Sequence, residues 1–116
     1  MKLAAVFILF SFATAYAGLS LPQRIESEFT QYPGSNVIHT IAAEGMVQVV
    51  LHCGKVKIGT VFDYYKNKAD NSGWDVTMEI KNSDACQLML SKKGQNGMIA
   101  VTDDDGEISV AISIIE

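Results

Sequence analysis

Beyond residue 17 only one stretch of the chain has helical periodicity, and it limits what the rest can fold into. In residues 58–74, IGTVFDYYKNKADNSGW, the side chains Ile58, Val61, Phe62, Tyr65 and Ala69 recur at spacings of three and four. They line one stripe, with Asp63, Lys66, Asn67 and Asp70 elsewhere around the axis. Asn71 and Ser72 are poor interior helix residues, Gly73 can close a helix in the left-handed conformation, and Trp74 opens an alternating segment. The spacing predicts a helix over residues 57–70. Its start is less sharply marked: Thr60 and Asp63 have capping-box spacing, with Asp in place of Glu or Gln, while Val56 and Ile58 carry the apolar pattern further upstream.

On both sides of this helix the pattern has period two. Residues 36–42 and 46–53 read as strands joined at Glu44-Gly45, with Val47, Val49, Leu51 and Cys53 on one face of the second and Gln48, Val50 and His52 on the other. After the helix, Trp74, Val76, Met78 and Ile80 are expected to face the core, opposite Asp75, Thr77, Glu79 and Lys81. Asn82-Ser83-Asp84 turns the chain into residues 85–92, where Cys86, Leu88 and Leu90 alternate with Gln87, Met89 and Ser91. A turn is expected over residues 94–97, after which Ile99 and Val101 continue the buried face. Asp103 to Gly106 forms a further hairpin, and Ile108, Val110, Ile112 and Ile114 then alternate with Ser109, Ala111, Ser113 and Ile115. Upstream, Leu21, Ile25 and Phe29 lie four apart behind Pro22, which suits a short helix with Pro in its first turn, and Tyr32-Pro33-Gly34-Ser35 reads as a turn. The expected fold is α+β, a single antiparallel sheet of about six strands built as hairpin, helix and four-strand meander. One main helix packs on one face and the other face is mostly polar.

Residues 1–17 have the pattern of a secretory signal: Lys2, an apolar run over residues 3–12, and the small-x-small site Ala15-Tyr16-Ala17. The apolar run falls short of the roughly 20 residues a membrane-spanning helix needs. Removing 17 of 116 residues leaves 99, enough for one domain: a segment over residues 18–35 that includes the short helix, then the α+β domain over residues 36–116. Eight basic residues then face thirteen acidic ones, a balance of −5 that argues against nucleic acid as a partner. The reading is an exported domain, periplasmic or extracellular, with no membrane insertion after cleavage. Export also bears on Cys53 and Cys86, the only cysteines. Both fall on inward strand positions, so a structural disulfide is expected, closing a loop of 33 residues and contributing on the order of 3 to 4 kcal/mol.

Three short motifs, Tyr32-Pro33-Gly34, Tyr64-Tyr65-Lys66 and Gly73-Trp74, give residues 32–116 a resemblance to small exported bacterial proteins of uncharacterised function. In that group the helix commonly starts with an acidic or Ser cap, where this chain has Cys53-Gly54-Lys55. The resemblance implies an α+β domain of the periplasm and carries over no catalytic residue.

Other groupings give little chemistry. His52 and Cys53 are adjacent on a strand and point to opposite faces, so His39, His52 and the cysteines do not read as one metal site. Asp103-Asp104-Asp105-Gly106-Glu107 returns straight into a strand, unlike a 12-residue calcium loop, and reads as a solvated Asp-Gly hairpin. There is no Gly-x-Ser-x-Gly elbow, no phosphate loop before the helix and no Cys-x-x-Cys. No cofactor is expected. The leading expectation is a non-enzymatic module that binds an envelope protein or a second copy of itself. It would bind through an edge strand or through the outer sheet face, where the candidate surface is Val50, Met89, Met98, Ala111 and Ile115, with Tyr64 at the helix edge. The alternative is a small-molecule binder or minor enzyme with a pocket between helix and sheet, near Tyr64, His52 and Trp74.

Overall fold

In a computed structural model, which describes residues 19–116, six strands form one antiparallel sheet. The signal-like residues 1–17 lie outside the described residues. Helix α1 (Gln23–Glu28) precedes the hairpin β1 (Asn36–Ala43) and β2 (Met46–Gly54), and helix α2 (Ile58–Asn71) follows it. The chain then meanders through β3 (Asp75–Lys81), β4 (Ala85–Lys92), β5 (Gln95–Asp104) and β6 (Glu107–Ile115). The spatial order is β1-β2-β6-β5-β4-β3, so the last strand sits in the middle and joins hairpin to meander. This is the α+β architecture expected from the periodicity.

Local chemistry explains the joints. Lys93-Gly94 and Asp105-Gly106 link ladders that close at Lys92 with Gln95 and at Asp104 with Glu107, and all four residues have positive φ, from 49° to 85°. That is the two-residue hairpin whose twist matches the strands it joins. Helix α2 stops as expected: Gly73 has φ 85°, and the Trp74 N–H donates to the Ala69 carbonyl at 3.0 Å. Its N-cap is Lys57, with no side-chain cap, so the Thr60/Asp63 box is not used.

The core fills the space between the sheet and the two helices. Val61, Phe62, Tyr65 and Ala69 of α2 are fully buried and lie over β4 and β5. Leu21, Ile25 and Phe29 of the N-terminal segment are buried too, and α1 covers β2 and β6. One helix of four turns cannot span six strands, and the short helix completes the cover. Residues 19–35 are thus part of the same core as the sheet.

Two expectations are corrected. In β3 the register slips between Val76 and Met78, so Thr77 is a bulged residue. Val76 pairs with inward Leu90, but Met78 pairs with outward Met89 and Ile80 with outward Gln87. The bulge reverses the phase of an edge strand, as bulges do. Met78 and Ile80 therefore lie on the outer face, while Glu79 turns to the helix side, where its Oε1 is 2.9 Å from Lys66 Nζ.

Gly97, expected within a turn, is a buried position inside β5, and the turn is Lys93-Gly94 alone. A Cβ at Gly97 would stand 3.2 Å from Trp74 Cζ3 and 3.4 Å from Leu90 Cβ. The missing side chain is the seat of the Trp74 indole.

Candidate functional site

The face of the sheet away from the helices is uncovered, and the register settles what it displays. One row crossing all six strands reads Met78, Met89, Met98, Ser113, Gln48, Ile41. The next reads Ile80, Gln87, Ala100, Ala111, Val50, His39. Neither row contains Asp, Glu, Lys or Arg. An antiparallel sheet with a free face ordinarily alternates apolar-in with polar-out. Here the outward residues are largely apolar or uncharged across the sheet. Val50, Met89, Met98 and Ala111, singled out from the sequence, fall in these two rows. Ile115 lies in the adjoining row, 45% exposed, opposite Met46. The bulge in β3 adds Met78 and Ile80, 54% and 41% exposed, and the opposite edge adds Ile41.

Tyr64 does not join this surface. It sits on the helix side, half-buried, its ring edge-on to Tyr32 at 5.1 Å and to Tyr65 at 4.9 Å, with its hydroxyl 2.9 Å from Thr30 Oγ1. Tyr65 donates its hydroxyl to the Thr30 carbonyl at 3.1 Å, and burial pushes its ionisation well above the usual tyrosine range. Two of the three motifs behind the family resemblance thus meet in one tyrosine cluster that fastens residues 30–32 to α2.

Nor do Tyr64, His52 and Trp74 converge on a pocket. Buried side chains fill the space between α2 and the sheet, His52 faces outward from β2, and Trp74 is buried over Gly97. His52 Nε2 lies 2.8 Å from Glu107 Oε1, with Lys55 Nζ 3.7 Å from Glu107 Oε2. Ser109 is its cross-strand neighbour but makes no hydrogen bond to the ring, so no nucleophile is joined to a base there. An open cleft of about 260 Å³ lies at the β1–β2 turn, bordered by Arg24, Met46 and Glu116, and Arg24 Nη1 is held by Glu116 Oε2 at 2.6 Å. The Asp103 carboxylate accepts the Gly106 N–H at 2.8 Å, making the hairpin expected of the acidic run. Among the described residues no three His, Cys, Asp or Glu gather where they could hold a metal, and no helix is long and apolar enough to cross a membrane.

A half-buried ion pair closes the far end of the helix layer. Glu28 Oε1 accepts hydrogen bonds from Trp74 Nε1 at 2.9 Å and Lys92 Nζ at 2.8 Å, and Lys92 also donates to the Ser72 carbonyl at 2.6 Å. Burial pushes the Glu28 carboxyl up, but the hydrogen bonds from Lys92 and Trp74 and the charges of Lys92 and Arg24 outweigh it and hold the pKa below the ordinary 4.5.

The expected Cys53–Cys86 disulfide is replaced by two separate thiols. Cys86 is level with Val101, Val110 and Leu51 across β4, β5, β6 and β2, three strand spacings from β2, or about 14 Å. Cys53 is two residues further along, whereas bridged Cα atoms lie within about 7 Å. Both side chains point inward as expected, but into different columns of the core. Burial raises the Cys53 thiol to about 11, which leaves little thiolate near neutrality. Alkylation of the unreduced, denatured protein should therefore count two thiols, and the native protein at pH 8 should show Cys53 reacting far more slowly than a free cysteine. A count of zero would mean a bridge and a different strand order.

No protein-family model, curated protein or solved structure matches the chain.

Proposed function

We propose that the chain is an exported, non-enzymatic binding domain whose working surface is the uncovered sheet face. Its partner is a second copy of itself or an envelope protein with a flat apolar surface. The observation that carries this reading is the absence of Asp, Glu, Lys and Arg from two complete six-strand rows of that face. Methionine supports it further, because its flexible, polarizable side chain suits adaptable binding surfaces. The edges are poorer candidates: β1 carries a register slip between Val37 and His39 and β3 one at Thr77, and such bulges blunt strand addition. The filled helix–sheet interior supports a binding surface over a small-molecule pocket.

The test is light scattering coupled to size exclusion on protein starting at Gly18, with Ala111→Glu as the variant. Ala111 lies near the middle of the outer face, so a carboxylate there is expected to break association while leaving the thermal midpoint of the isolated domain nearly unchanged. The wild type is expected to run as a dimer with or without reductant. If it runs as a monomer, a partner captured from envelope extract must be lost with Ala111→Glu. A wild type that is monomeric and captures nothing sinks the reading.

A further inference from the structure

All four methionines beyond Met1 lie on the outer face, and three of them, Met78, Met89 and Met98, are direct cross-strand neighbours on β3, β4 and β5. Side chains opposite one another on a sheet start about 4.5 to 5.5 Å apart at Cβ. A thioether on three rotatable bonds spans that interval easily, so the three sulfurs can gather over the middle strand. Two of them already converge. The Gln87 amide nitrogen stands 3.2 Å from Met98 Sδ and 3.4 Å from Met89 Sδ, so both sulfurs face one small donor. That donor occupies the place a cation would take. Met78 is the most exposed of the three, 54% against part-buried Met89 and Met98.

The chemistry of the donors selects the ion. Calcium and magnesium need several oxygen ligands, and this part of the face has no carboxylate. Neutral thioethers are soft ligands that favour copper(I) over hard or borderline divalent cations. We propose that Met78, Met89 and Met98 form a soft-metal site for one monovalent ion of the copper(I) and silver(I) class, with the Gln87 amide swinging aside as the ion enters. The site goes beyond the protein-binding reading and does not rest on it. Leucine in place of these methionines keeps the face apolar and removes only the sulfurs, whereas Ala111→Glu disturbs association and leaves the sulfurs in place.

The experiment uses silver(I) in chloride-free buffer and follows the methionine methyl groups by carbon–proton correlation NMR. The methyls of Met78, Met89 and Met98 are expected to shift together and saturate with a single midpoint, while Met46, on the same face but outside the trio, stays in place. The triple Met→Leu variant should lose at least ten-fold in silver affinity at this site with an unchanged thermal midpoint. Cys53 and Cys86 are competing soft ligands, so the titration runs through three equivalents, one more than the two thiols can hold. Stationary methyls throughout that range would overturn the proposal, and so would a Met46 methyl that moves with the others.

Discussion

Trp74→Ala is expected to destabilise the protein by about 3 to 5 kcal/mol, read as a lower urea midpoint at unchanged slope. The indole is 3% exposed, lies 5.6 Å from the Phe29 ring and fills the space left by Gly97. Truncation empties that space and removes one donor from Glu28. The converse substitution tests the same fit: in Gly97→Ala the new methyl stands 3.2 Å from Trp74 Cζ3, tighter than ordinary packing, and should cost about 1 to 3 kcal/mol. In a Trp74→Ala background that cost should largely vanish, because the clash partner is gone. Strictly additive effects in the double-mutant cycle would show that indole and glycine are not in contact.

Glu28→Gln should cost about 2 kcal/mol at neutral pH, since it replaces a charged acceptor shared by Lys92 and Trp74 with a neutral one. The cost should depend on pH with a definite sign. The Glu28 carboxyl titrates at about 4.5 in the unfolded chain and lower in the folded one, so its contribution is present in full above 4.5 and is lost as pH falls through the folded value. The wild type and Glu28→Gln should therefore converge in urea stability as the pH is lowered below 4.5. A gap that stays constant on acidification would place the effect in shape rather than charge.

Sequence legibility followed the physics of each element. The period of α2 and the alternation in β2, β4, β5 and β6 each record a single buried face, so the core and the outward set Val50, Met89, Met98, Ala111 and Ile115 could be read from parity alone. Parity says nothing about which strands are neighbours. Cys53 and Cys86 share a face, but β6 and β5 intervene between their strands, and only the topology separates them. Nor does a single sequence mark a bulge. The run Trp74, Val76, Met78, Ile80 alternates cleanly, and the slip at Thr77 is set by pairing with β4, which hid Met78 and Ile80 from the candidate surface. Gly97 looked like punctuation because its reason, the Trp74 ring, comes from a residue 23 positions away. Tyr64 was legible as a residue at the helix edge, but its partners Thr30 and Tyr32 belong to a segment whose docking no local pattern announces.

The central place of β6 has a consequence for how the molecule comes into being. A chain is made from its N-terminus, yet the strand that unites the sheet, residues 107–115, is made after the other five. Until residues 107–115 arrive, the hairpin β1–β2 and the three strands β3 to β5 are separate pieces with open inner edges, and the helices have no continuous surface to cover. Until then the sheet lacks its middle strand, and the hairpin and the meander cannot be joined.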